Sequence, residues 1–281
     1  MNNGFYEFSR GRQETATTSS AIAAAFPFSG SAVITGSLSQ GLSTVASGDY
    51  SHAEGRITQA LGESSHAEGQ STQAQGNYSH AEGQETISSG SYSHAEGLYT
   101  TASGDWSHAE GIYTRAIGRY SHAEGGITDP SRPGGTAIGE GSHAEGVDTI
   151  AFGTGSHAEG KSAVASGSYS HAEGASTEAI GQYSHAEGAG TKAQGSWSHA
   201  EGLYTIASGS YQHVQGRYNI SSSAQSAFII GNGTANNKRS NLVFASGSQF
   251  QITGSLNVTG SLIVNDTNII STIVAMSIVM A

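Results

Sequence analysis

Most of the chemistry open to this chain is carried by its twelve histidines. His52, His66, His80, His94, His108 and His122 follow one another every 14 residues, and His143, His157, His171, His185, His199 and His213 resume the interval after one gap of 21. Eleven of the twelve stand in Ser-His-Ala-Glu-Gly, first at Ser51 to Gly55, and the last has become Gln212-His213-Val214-Gln215-Gly216. An imidazole two residues from a carboxylate, beside a hydroxyl, opens three chemistries. His-Ala-Glu begins the zinc-deaminase signature, but that site needs Cys ligands and the chain has none. Adjacent Ser and His could serve nucleophilic catalysis, yet neighbours on a strand face opposite ways, so hydroxyl and ring diverge. Metal binding needs converging ligands, which rings of several chains near a symmetry axis would supply; His52, His66, His80, His94, His108 and His122 are the ligands on that alternative.

The reading favoured by the residues is structural, with no catalytic group, no cofactor and no resident metal. Glu54, Glu68, Glu82, Glu96, Glu110, Glu124, Glu145, Glu159, Glu173, Glu187 and Glu201 share the histidine spacing. Like charges stacked about 4.8 Å apart repel unless compensated. The expected compensation is a continuous hydrogen-bonded His–Glu ladder with some imidazoles protonated near neutral pH. Protonating all twelve histidines would move the net charge from −11 to +1.

What positions these residues is a shorter repeat. Between pentapeptides lies a looser copy, such as Thr58-Gln59-Ala60-Leu61-Gly62 or Thr114-Arg115-Ala116-Ile117-Gly118, so the unit is small-x-Ala-x-Gly-x-x. It runs from Ser37 to Tyr218, which is 182 residues or 26 heptads. A coiled coil is excluded, because a glycine in every heptad weakens a helix. Alternation over five residues followed by turn-capable ones predicts a short strand and a corner, and two heptads make one coil. The small first, third and fifth positions then line a narrow interior. Gly55, Gly69, Gly83, Gly97, Gly111 and Gly125 are the expected corner glycines, free to take positive φ. Tyr50, Tyr78, Tyr92, Trp106, Tyr120, Tyr169, Tyr183, Trp197 and Tyr211 each precede a pentapeptide and should stack along one corner, as packing between rungs. At one strand spacing per coil the rod section is about 60 Å long.

Composition agrees with a non-enzymatic solenoid. The 281 residues hold 40 glycines, only 12% charged residues, and 36% hydrophobic residues of which few are aromatic. Eleven Lys and Arg against 22 Asp and Glu repel phosphate backbones, so nucleic acid is excluded as a partner. Neither a run of about 20 apolar residues nor a signal-like start at Met1 to Gln13 is present, so no membrane span is expected. A tube lined by Ser, Thr, Ala and Gly buries little apolar area against the entropy of ordering the chain, so an outer face should meet sister copies.

With small-x-Ala-x-Gly coils of 14 residues, the chain resembles the heads of trimeric autotransporter adhesins, and its Ser-His-Ala-Glu-Gly arrays resemble those of phage tail-fibre proteins. The resemblance covers about 37–218. It implies an all-β fold, a left-handed parallel β-roll (solenoid) of 14-residue coils, homotrimeric, with short strand-repeat segments at its flanks. In adhesin heads the two x positions are apolar and pack between chains. Thr136-Ala137-Ile138-Gly139 and Glu178-Ala179-Ile180-Gly181 come nearest that pattern, whereas the His–Glu half departs from it.

The expected organisation is 1–36 as an N-terminal attachment segment, 37–218 as the β-roll with a loop insertion near 128–134, 219–248 as a cap or connector, and 249–281 as a C-terminal strand repeat with a short trimerisation tail. Pro130 and Pro133 in the insertion cannot donate to a ladder, which makes it a protruding loop. The functional expectation is a fibre or spike component of a phage tail or virion appendage. It would act as a rigid trimeric spacer that contacts other virion or tail proteins and a host surface glycan or protein. The alternatives are a bacterial surface adhesin head, displayed at the cell surface, and an ice-binding solenoid. The last is disfavoured because the threonines point inward.

Overall fold

A computed structural model describes residues 36–127, 134–257 and 259. Most coils give one five-residue strand that starts at the histidine, such as His52–Arg56 or His66–Gln70, shortened to His122–Ala123 before the 21-residue interval, and one two-residue strand, such as Gln59–Ala60 or Gln73–Ala74. Coils stack with residue i beside residue i+14, so that His80 pairs with His94, Ala81 with Ala95, Glu82 with Glu96 and Gly83 with Gly97. Long strands form a sixteen-stranded sheet and short strands a twelve-stranded one, and fourteen strands of the longer sheet run parallel. The chain is therefore an all-β parallel solenoid, with no helix among the described residues.

The interior is built from the small positions. Ala53, Ala60, Ala67 and Ala74 are fully buried, as are Ser51, Thr58, Ser65 and Thr72 to within 2%. Two features differ from the sequence expectation. The second half-coil is not a five-residue strand, since only its second and third positions pair as strand. Nor does the fifth position always face inward: Gly62 and Gly76 are buried, whereas Gly55, Gly69 and Gly83 are exposed at the sheet edge with φ of 104–111°. The tight turn after the two-residue strand draws one glycine into the interior, while the longer strand carries the other past it.

Hydrogen bonding explains the choice of residue at the first position. Ser79 Oγ donates to the Gly76 carbonyl at 2.7 Å, and Ser51, Ser65, Ser93, Ser107 and Ser121 do the same to the glycine three residues earlier, so serine closes the corner. The hydroxyls of Thr58, Thr72, Thr86 and Thr100 are buried without a partner, so threonine serves there by its methyl. The two substitutions should therefore diverge in thermal melts. Ser79→Ala is expected to cost about 1 kcal/mol, and Thr72→Val to be neutral or stabilising by up to about 1 kcal/mol.

The heptad corners hold a conformation that the sequence did not announce. Tyr92, Trp106 and Ile57 have φ of 57°, 54° and 60°, the left-handed region, which costs a side-chain-bearing residue about 1–2 kcal/mol. The conformation turns each N–H onto the preceding coil: Tyr92 N donates to Asn77 O and Trp106 N to Ser91 O, both at 2.9 Å. Corner hydrogen bonds thus continue the strand ladders around each coil.

The 21-residue interval leaves the stack in register. His122 pairs with His143 and Ala123 with Ala144, so the later histidines stay on the same face. The expected loop itself lies outside the described residues, apart from Gly134, whose N–H returns to Tyr113 O at 2.9 Å. At the far end, strand Phe228–Asn232 adds one more parallel rung after His213–Arg217, and Asn241–Ser246 and Gln249–Ile252 then pair antiparallel. The degraded last repeat closes the stack with side chains. Asn219 accepts from Ile206 N at 2.7 Å and donates to Ile206 O at 3.0 Å, taking the place of a further short strand, and Gln212 Nε2 donates to Ser222 O at 2.7 Å. The N-terminal segment to residue 35 and the trimerisation tail from residue 260 lie outside the described residues.

Candidate functional site

Two columns on the outside of the long-strand sheet hold the titratable groups. Imidazoles from His52 to His199 stack almost parallel, with centroids 4.7–4.9 Å apart. The stack ends where His213 turns edge-on to His199 and meets Phe228. Beside it run the carboxyls. Nε2 of His108 lies 3.4 Å from a Glu96 oxygen, and other pairs are longer, such as His80 to Glu68 at 3.8 Å and His185 to Glu187 at 4.0 Å. Those Nε2 atoms, in all eleven rings from His52 to His199, are buried with no hydrogen-bond partner. In the single chain the arrangement therefore differs from a continuous hydrogen-bonded His–Glu ladder.

The carboxyls act on one another within their own column. Hydrogen bonds from Glu68 and Glu96 push Glu82 up to about 7, while Glu68 and Glu96, whose largest influence is the Glu82 carboxyl, go down. Burial followed by hydrogen bonds to Glu173 and Glu145 likewise raises Glu159 to about 7. Adjacent carboxyls are thus shifted in opposite directions, Glu82 up and its neighbours on either side down. The rings move the other way. Burial, then the neighbouring imidazoles, lowers His80, His122, His157 and His185, and His94 follows for the same reasons. Around Glu82 and Glu159 the shifts, carboxyl up and neighbouring ring down, run against the expected imidazolium–carboxylate pairs.

A pH profile follows from these directions. The raised Glu82 and Glu159 contribute stability that is present below their unfolded value of 4.5 and lost as pH rises through about 7. The lowered imidazoles contribute stability that is present above 6.5 and lost as pH falls through their folded values. Neither set titrates above about pH 7, so melting temperature is expected to change below it and to level off above it; a fall that continues from about pH 7.5 to about pH 8.5 would contradict these assignments.

Within a single chain the geometry does not assemble the other chemistries. Ser51 is buried with its hydroxyl on Gly48 O while the His52 ring faces outward, so serine and histidine do not meet. Groups such as His94, Glu96 and His108 place one ligand atom each within 4.8 Å of one another. Their rings are parallel and 4.9 Å apart, however, so their in-plane lone pairs do not converge on one ion as zinc at about 2.0–2.1 Å requires. The repeated threonines from Thr58 to Thr205 at the first heptad position are interior, which leaves no regular outward Thr array for ice among the described residues.

Aromatic columns mark the corners. Tyr78, Tyr92, Trp106 and Tyr120 stack in one run and Tyr169, Tyr183, Trp197 and Tyr211 in another, at 4.9–5.4 Å. Arg119 lies 4.8 Å and 4.7 Å from the Trp106 and Tyr120 rings. Sequence reasoning missed the opposite corner, where Tyr99 stacks on Tyr113 and Tyr204 on Tyr218. The signal was present, since each of these also precedes the first position of a heptad. Because ring faces cover one another, mainly edges and hydroxyls are offered outward.

A parallel solenoid with a small-residue interior and invariant outward columns defines a class of repetitive structural proteins. Within it, residues 81–105, 95–121, 133–156 and 158–184 match the YadA head domain repeat, the β-roll of trimeric autotransporter adhesins. The matches fall on either side of the insertion and take in both halves of the coil. Compared with curated proteins, the chain matches none. No helix among the described residues is long and apolar enough to cross a membrane.

Proposed function

We propose that this chain is a structural, adhesin-like fibre module that assembles as a homotrimer and holds its outward columns as a rigid rod for contact with another surface. What carries the reading is the match of its coils to the YadA head repeat, a structural family whose heads form homotrimers on bacterial surfaces. The rod supplies length and regularity; it offers a contact surface in place of a catalytic cleft. Bacterial surface display is the setting that this match supports. A virion tail fibre is the second reading, and the Ser-His-Ala-Glu-Gly arrays favour it through their resemblance to phage tail-fibre sequences.

Immunogold labelling with antibody to the folded rod separates the settings. Label on intact producing cells is expected for the adhesin-like module. Label confined to particles released by lysis, with bare cells, would transfer the chain to the virion.

A further inference from the structure

We propose that the His–Glu face of the long-strand sheet is the surface on which copies of this chain meet. The inference rests on the homotrimer reading above and names the interface that reading leaves open.

Within one chain the two half-coils are each other's control. Both build the same interior, yet the outward position before the buried third residue is His in every long strand from His52 to His213, and Gln73, Ile87, Thr101, Arg115, Glu178 or Lys192 in the short ones. Folding of the roll therefore does not require His and Glu, because the short-strand half folds with almost any residue there. Lys192 and Glu178 even pair across rungs at 2.7 Å, as exposed side chains do. A solvent face tolerates such variety. An outward face that repeats one residue pair eleven times has the same neighbour at every rung, and a copy of this chain, with the same rise per coil, is a partner that stays in step along the whole length.

Charge and hydrogen bonding point the same way. Apart from the eleven Glu of the column, the remaining eleven acidic residues match the eleven Lys and Arg, so the chain's whole excess of −11 sits on this face. One proton per rung makes the face neutral. The eleven buried Nε2 atoms without a partner each forfeit a hydrogen bond. Their nearest carboxyls, as in His94 with Glu82 at 3.7 Å, are about a third exposed and free to move inward. A sister copy pressed on this face would drive carboxyl onto ring and close the gap. The short-strand face, with Ile87, Ile150, Val164 and Ile206 but also Arg115 and Lys192, is the rival surface.

Because the chain lacks cysteine, single cysteines report the answer in the full-length protein. Glu110→Cys and Glu173→Cys mark the His–Glu face at two rungs, and Thr101→Cys marks the opposite face. Each would be treated with a short bismaleimide, run on a denaturing gel, and checked for an unchanged melt and for mass by light scattering. Covalent dimer from most chains is expected at the two Glu positions, with only background at Thr101→Cys. Cross-linking through Thr101→Cys alone, or a trimeric mass with no cross-linking at any position, would overturn the interface and leave the trimer intact. A single-chain mass for the unmodified protein would instead overturn the trimer, and the interface with it.

Discussion

Gly76→Ala should abolish the folded roll. An added Cβ would stand 2.0 Å from the Gly90 carbonyl oxygen and 2.5 Å from its carbon, both backbone atoms of the next coil. No side-chain rotation relieves such contacts, so the two coils must part and the ladder breaks at that rung. Gly69→Ala meets the same barrier, with Cβ 2.1 Å from Gly83 O, at a φ of +107° that disfavours any side chain. The cost is more than about 4 kcal/mol for either, well beyond ordinary overpacking. Gly141→Ala is the control. It is also left-handed, at +62°, but nothing lies within 4 Å of its Cβ, and its corner equivalents Tyr120 and Tyr169 carry large side chains at φ of 58° and 57°. A loss of about 1 kcal/mol is expected there. Circular dichroism melts of the three variants check the contrast, and a well-folded Gly76→Ala protein would refute the close approach of coils.

Ala109→Leu is the second large effect. Ala109 is fully buried in a cluster made almost wholly of alanines, flanked above and below by Ala95 and Ala123. Three extra carbons in so narrow a tube cannot be absorbed by repacking, because neighbouring methyls have no rotamer to change. Overpacking usually costs about 1–3 kcal/mol, and here the upper end or beyond is expected. Ala109→Ser should be tolerated, since the equivalent position on the other half-coil already holds Ser88, hydrogen-bonded to Ser93 at 2.6 Å. Urea titrations of both variants read the difference directly. Equal midpoints would mean that the interior is less filled than the alanine cluster implies.

The periodicity made the coil length, the inward alanines and the stacking of His on His legible, because a stack of identical rungs repeats every constraint at one interval. Other features were hidden for identifiable reasons. The two-residue strands escaped because Thr-x-Ala-x-Gly and Ser-His-Ala-Glu-Gly share one pattern, while their different corners decide how far pairing extends. The left-handed corners escaped because glycine was the residue expected to carry positive φ. At these corners a backbone hydrogen bond to the previous coil and a stacked ring, as at Tyr92, offset the strain. The carboxyl pairing was invisible for a third reason. Residue types show that eleven charges align, but only the structure shows that Glu68 and Glu96 together raise the Glu82 carboxyl. The repeat decays at Gln212, but one more parallel strand, Phe228–Asn232, follows it, and Asn219 as a side-chain substitute for a missing short strand has no signature in residue type.

The account turns on whether a tube filled with side chains this small persists without sister subunits. Light scattering on the full-length protein after size exclusion decides it. A mass of three times 28.6 kDa with a cooperative melt is predicted. A folded, sharply melting species of 28.6 kDa, with its His and Glu columns facing water, would contradict it.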